Sequence, residues 1–417
     1  MRNKIIKRIL IGFLALVLTA GVYFLGFFTY KWSLSDTEQE LLKILDAYDK
    51  HYYYQDPNII DTICDAILDD YSDYYTPEEY EAVIRTNLGK NVGIGLSFLD
   101  DTNVISEVII NSPCFKAGIK AGGTVISAVS RNMGSTGENI RNFILDLSEG
   151  SNVTLDIDYS GTVKRYEVKK QTYNQSYVTY KNAEGTFAYV DNSTSMELKK
   201  ISDDNLSKSG VGYIKYTSFN GKDGGLYGSV SQMKTALEKF KLDGNHTLIF
   251  DLRDNGGGYM DVLSGVAGML VEKHEDRQVM SITKDHDGKE TKHYVGTNYY
   301  SSYAFEKIYV LANQNTASAS EVLIGAMLDY DTKGVVSIVL DGHEKNEETI
   351  YKTYGKGIMQ TTYKYLDGSA VKLTTAKVFW PVSNRCIHGV GVTTSTSQKV
   401  LNAENENAFE YALSIIE

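Results

Sequence analysis

The stretch Thr247-Leu248-Ile249-Phe250-Asp251-Leu252-Arg253-Asp254-Asn255-Gly256-Gly257-Gly258 sets the architecture. Thr247 to Leu252 is an apolar run of strand length. The glycines break it just before Met260, Leu263 and Ala267 recur at helical spacing. A strand that ends in a glycine loop ahead of a helix is a building unit of α/β sheets, and its N–H groups form an anion site. Working outward, Gly212 to Thr217 reads as strand and Val230 to Phe240 as helix. Lys307 to Ala312 is another strand, and Ser320 to Tyr330 a helix with Val322, Leu323, Ala326 and Met327 on one face. Met359 to Leu366 and Ala370 to Val378 flank Asp367-Gly368, a hairpin signal. The alternation predicts an α/β core.

Upstream the pattern changes twice. Residues 35–86 read as a helical segment, with Leu41, Leu42, Ile44 and Leu45, then Ile59, Ile60, Ile63, Ala66 and Ile67, at helical spacing. Tyr71-Ser72-Asp73-Tyr74-Tyr75 gives a turn, and a further helix starts at Thr76 as cap with Pro77 at its first position. Residues 87–172 carry short alternating runs, Val104 to Ile110 and Val153 to Tyr159, around one helix near Glu138 to Leu147. With Gly93-Ile94-Gly95-Leu96 near its start, this unit resembles a PDZ domain. That resemblance implies a Gly-x-Gly loop that takes a peptide's terminal carboxylate while the peptide adds a strand to the sheet edge. Tyr173 to Asn205 is rich in Asn, Ser and Tyr and reads as an irregular connection or a small hairpin.

The chain has 417 residues, 42% hydrophobic and 23% charged, enough apolar material for two or three packed units. Its net charge of −11 excludes the basic footprint of a nucleic-acid binder. Residues 9–30 are uncharged and long enough to span a bilayer, and residues 1–8 carry Arg2, Lys4, Lys7 and Arg8. The expectation is a cytoplasmic basic tail, a transmembrane anchor and an extracytoplasmic remainder at the cell membrane. A cleaved signal peptide is the alternative, and it exports the same remainder. Cys64, Cys114 and Cys386 are too widely spaced for a disulfide framework, and the seven histidines show no HExxH, so no metal is expected.

Three elements carry chemistry. Thr316-Ala317-Ser318-Ala319-Ser320-Glu321 lies where strand gives way to helix, a turn that exposes one side chain beside helix N-terminal N–H groups. Tyr354-Gly355-Lys356-Gly357 brackets a lysine with glycines, and Gln360 follows on the same side if strand geometry extends back. A lysine acts as general base only when neutral, which requires roughly 4 kcal/mol of environmental bias to bring its pKa from about 10.4 towards 7 or 8. The glycine loop lacks a following Gly-Lys-Ser/Thr, so an oxyanion donor from Gly257 or Gly258, paired with Ala319 N–H, is preferred to a nucleotide loop. Read alone, the turn is a helix cap and the lysine a surface side chain.

Taken together and in order, these segments, with Val371-Lys372-Leu373-Thr374-Thr375-Ala376-Lys377 and the PDZ-like insertion, resemble the C-terminal processing peptidases over residues 36 to 400. The resemblance implies a serine endopeptidase with Ser318 as nucleophile, Lys356 as base and Gln360 in support, and the expected anchor would hold it at the membrane. It further implies a PDZ site at Gly93, Ile94, Gly95 and Leu96, protein or peptide substrates with accessible C-termini and no cofactor. Residues 173–417 are then the peptidase core, with a homo-oligomer left open. Departures are Asn255-Gly256-Gly257-Gly258 where the family usually has Asn-Pro-Gly-Gly, a longer Ser318–Lys356 linker around Asp341 to Tyr351, and Asp146 where relatives often carry arginine. The rival class is a catalytically silent PDZ adaptor, but Ser318, Lys356 and Gln360 are all present.

Overall fold

The computed structural model describes Thr19 and residues 33–52, 54, 56, 58–99, 102–128, 131–132, 137–191, 196–221, 228–404 and 406–416. The expected anchor, residues 9–30, lies outside them except for Thr19. No helix among the described residues is long and apolar enough to cross a membrane. Two units divide at Ile67. The first contains the helices Asp36–His51, opened by a reciprocal capping box between Ser35 and Glu38, and Ile59–Ile67.

The second unit, from Leu68 on, is built on an eight-stranded sheet. Its spatial order is Met196–Ser202, Gly185–Asp191, Val178–Asn182, Val211–Tyr216, Thr247–Asp251, Lys307–Ala312, Val336–Leu340 and Val400–Asn402. The last five run parallel and the first three antiparallel. All of Thr247–Asp251 is buried, as a strand covered on both faces must be. Leu248 and Phe250 pack in one core with Leu237, Leu263 and Leu323 from the helices Ser229–Leu242, Met260–Leu270 and Ala319–Tyr330. Ile249 points the other way, into a core with Ala408 and Ala412 of the helix Ala408–Ile415. Helix and strand bounds predicted from periodicity in this region agree to within two residues at each end.

Residues 173–205 depart from the sequence reading. Instead of an irregular connection or a small hairpin they supply three antiparallel strands of the main sheet, and Tyr177, Tyr180, Tyr189 and Met196 are core residues. Val178–Asn182 alternates buried and half-buried positions. Two of the tyrosines have their polar tips tied down, Tyr180 Oη to Asp243 at 2.6 Å and Tyr189 Oη to the Gln232 carbonyl at 2.7 Å, whereas Tyr177 Oη is buried without a hydrogen-bond partner among the described residues.

A second sheet runs Asp73–Tyr75, Ala370–Phe379, Val279–Lys284, Glu290–Tyr294, with Ile358–Lys364 also on Ala370–Phe379. Thr76 caps the helix Pro77–Asn87 reciprocally with Glu79. The long Ser318–Lys356 linker forms a two-stranded hairpin, Gly342–Lys345 with Glu348–Tyr351. Between Asp73–Tyr75 and Val178–Asn182 in sequence, residues 94–168 enclose their own core of Ile94, Ile105, Val125, Ile140, Val153, Leu155, Ile157 and Val168. Strand Leu96–Phe98 pairs only with Ile105–Val108 among the described strands. The sequence reading found no basic residue to replace the arginine near Asp146. In the fold Lys170, only 7% exposed, donates to the carbonyls of Ile144, Leu145 and Leu147 at 2.9, 3.1 and 2.6 Å, closing the helix Gly137–Leu145.

Candidate active site

The strand Lys307–Ala312 ends in a turn at Asn313–Ala317, and Ser318 opens the next helix with φ 56° and ψ −116°. Non-glycine residues rarely hold this backbone, and the strain of about 1–3 kcal/mol persists only where surroundings enforce it. Here they do. Ser318 N–H donates to Glu321 at 3.0 Å, Ala317 N–H to the Asn255 carbonyl at 3.0 Å, and the buried Ser320 hydroxyl to the same carbonyl at 2.9 Å. Ser320 is thereby committed to packing, and Ser318 is left half-exposed at the turn.

Against this turn lies the glycine loop. Gly257 has φ +100°, and a Cβ there would stand 2.8 Å from Ala319 N and Ser318 Cβ and 2.9 Å from the Ala317 carbonyl oxygen. Its own N–H donates to Asn255 Oδ1 at 2.9 Å, so Gly257 supplies close approach while its N–H is occupied. Gly258 and Ala319 instead border a cavity of about 400 Å³, together with Ser318, Lys356 and Gln360. Met260, Val322, Ile358, Met359 and Val378 give that cavity apolar walls, with Asp261 at its edge.

Lys356 is half-buried on the loop before Ile358–Lys364. Its Nζ stands 4.9 Å over the Tyr71 ring, and no hydrogen bond joins it to Ser318 Oγ among the described residues. Burial draws the amine below the ordinary lysine value, the nearby Lys372 adds to that, and Asp69 and Glu321 oppose it. A register shift between Met359 and Gln360 re-aims the strand here. Gln360 faces the cavity, but its amide donates to Thr374 Oγ1 at 3.4 Å rather than to Lys356. At the 87–172 unit, the Ile94 and Gly95 carbonyls accept from Cys114 and Ile109, both at 3.0 Å, and Leu96 begins the strand with the unpaired edge.

Sequence reasoning missed two residues of this site. Tyr71 carries only a turn signal in the sequence, yet it comes from nearly 300 positions upstream to meet Lys356. Glu321 stands in its motif with no chemical role of its own in the sequence. The signal was the capping-box spacing Ser318-Ala319-Ser320-Glu321.

Residues 210–397 match the model of peptidase family S41. A probable CtpA-like serine protease of Staphylococcus haemolyticus is 28% identical over 374 residues, which cover 87% of this chain and 65% of that protein. A probable CtpA-like serine protease of Staphylococcus aureus is 27% identical over 366 residues, covering 85% and 62%. The chain thus spans just under two thirds of the length of these curated relatives. Among solved structures, the photosystem II D1 C-terminal processing protease is 22% identical with a TM-score of 0.47, covering 87% of each chain.

Proposed function

We propose, from the match of residues 210–397 to peptidase family S41, that the chain is a serine endopeptidase in which Ser318 is the nucleophile and Lys356 the general base. The observation that carries this reading is one cavity bordered at once by the Ser318 turn, a lysine drawn below its ordinary pKa and two backbone donors, Gly258 and Ala319. Neutral Lys356 takes the proton of Ser318 Oγ as Oγ bonds to the scissile carbonyl carbon. The carbonyl π pair moves to its oxygen, which the Gly258 and Ala319 N–H groups receive. Collapse breaks the C–N bond, and the lysine ammonium returns its proton to the leaving amine. Water then attacks the acyl-enzyme, losing a proton to Lys356, and the second collapse restores Ser318 Oγ–H. One oxyanion donor contributes about 10²–10³ in rate and a positioned base about 10²–10⁴. Substrate binding must bring Nζ and Oγ within about 2.6–3.2 Å, since catalytic bonds are often loose in the free enzyme.

The apolar cavity walls favour an apolar side chain next to the scissile bond. The open edge of Leu96–Phe98 beside Gly93-Ile94-Gly95 supports capture of a substrate C-terminus by strand addition. The basic residues 2–8 ahead of an uncharged span support a membrane-anchored enzyme with its catalytic part outside the cytoplasm.

The test uses the full chain, as wild type, Ser318→Ala and Lys356→Ala, with an unfolded protein that ends in apolar residues. Wild type alone is expected to cleave it, and more slowly when the last residues are made charged. Equal cleavage by all three proteins sinks the dyad and leaves the peptide-binding adaptor.

A further inference from the structure

Ser318 and Lys356 lie on separate segments, and one side chain touches both. Glu321, in the first turn of the helix Ala319–Tyr330, has no exposed surface and receives four hydrogen bonds. Its Oε2 accepts from Ser318 N–H at 3.0 Å and from Lys356 N–H at 2.9 Å. Its Oε1 accepts from Gly355 N–H at 2.8 Å and from the Thr353 hydroxyl. One oxygen shared by two N–H groups keeps their nitrogens within about 6 Å of each other, and each nitrogen is one bond from the Cα that carries a reacting side chain.

An ordinary capping-box glutamate sits near water and reaches back to a single N–H. This one is sealed in, and its four partners are neutral groups. Burying a carboxylate without a cation is costly, and a neutral side chain would cap the helix at less expense. Only an ionised carboxylate accepts from four donors, because a protonated carboxyl turns a hydrogen toward one of them. Burial pushes the Glu321 carboxyl up, while the bonds from Thr353, Lys356, Gly355 and Ser318 oppose that rise.

We propose that Glu321 is a positioning residue for the reaction: one carboxylate joins the Ser318 turn to the Thr353–Lys356 loop and so sets the distance between nucleophile and base. This deepens the serine–lysine reading and rests on it. Glu321 also acts on the base through its charge. The groups facing Lys356 are Lys372, Asp69, Glu321 and the Tyr71 ring. Tyr71, held up to about 12 chiefly by its hydrogen bond with Tyr354, stays neutral across the working range. Lys372 favours the neutral amine, whereas Asp69 and Glu321 favour the ammonium.

Two variants separate geometry from charge. Glu321→Gln keeps one oxygen but turns an NH₂ toward two donors. Glu321→Asp keeps the charge but is one methylene too short to reach both segments. Both are expected to lower kcat about 100-fold with KM within a factor of about two, the loss that a misplacement of about 1 Å produces. The rising limb of kcat against pH should move to lower pH in Glu321→Gln and stay near wild type in Glu321→Asp. Amide hydrogen exchange of residues 318–319 and 355–357 should quicken in both, and this reading needs no activity. Should Glu321→Gln fail to fold, Glu321→Asp carries the kcat and exchange measurements. Wild-type kcat, or unchanged exchange in both segments, overturns the proposal. Ser318→Ala is run beside them. If it is inactive while Glu321→Gln is fully active, the positioning role alone is overturned; if it still cleaves, both are.

Discussion

Replacing Gly257 by alanine tests whether the glycine loop holds the nucleophile turn in place. Two costs add. At φ +100° an L-residue is strained by about 1–3 kcal/mol. The new Cβ also meets Ala319 N and Ser318 Cβ at 2.8 Å and the Ala317 carbonyl oxygen at 2.9 Å. Ordinary contact begins at about 3.5 Å, so the gap must open by about 0.7 Å. None of these atoms is the far end of a flexible side chain, so relief comes only by moving the Ser318 turn or the loop. A displacement of that size at a nucleophile costs on the order of 10²-fold in rate. The assay is kcat and KM on an unfolded protein substrate, with a urea melt alongside. Gly256→Ala is the matched control, because its Cβ meets no atom within 4 Å and its φ is not positive. It should keep full activity and gain about 0.4–1 kcal/mol from a less flexible unfolded chain. Gly257→Ala with kcat within about twofold of wild type, in a protein whose melt is unchanged, would refute the packing argument.

Two further predictions follow from charges. Lys372 helps to keep Lys356 below its ordinary pKa, so Lys372→Met should raise the Lys356 pKa, shift the rising limb of the pH–rate profile to higher pH and lower activity at pH 7. A profile that stays put or moves to lower pH contradicts that role. Lys170→Met leaves the Ile144, Leu145 and Leu147 carbonyls without their shared donor, a loss of about 1–3 kcal/mol. Hydrogen exchange should quicken in residues 137–145 before the main sheet responds, and uniform protection there would argue that water replaces the amine.

The parallel half of the sheet was legible because a strand covered on both faces needs a continuous apolar stretch, and Leu248, Ile249 and Phe250 supply one. The Thr76 cap and the hairpin around Asp367-Gly368 were legible for an equally local reason, turn chemistry at fixed offsets. The antiparallel half was hidden because its buried face draws mainly on tyrosines, with Val178 and Met196, spaced among Asn, Ser and Lys, a composition shared with loops. Ser318, Lys356 and Gln360 came from motif order, and they do border one cavity. Glu321, Tyr71 and Lys170 depend on contacts across 35, 285 and 26 positions, which no local pattern encodes.

The pairing of Asp73–Tyr75 with Ala370–Lys372 joins positions nearly 300 residues apart, and Lys372 Nζ donates to Tyr75 Oη at 2.7 Å across that span. Ribosomes add about 5–20 residues per second, so the early strand waits on the order of 15–60 s for its partner to be made. Tyr71 leads into that strand, and the loop bearing Lys356 is itself made late. A nascent chain therefore cannot bring Tyr71, Ser318 and Lys356 to one place until residues through Lys372 have been made. Order of translation thus acts as a timer on the assembly of that cavity.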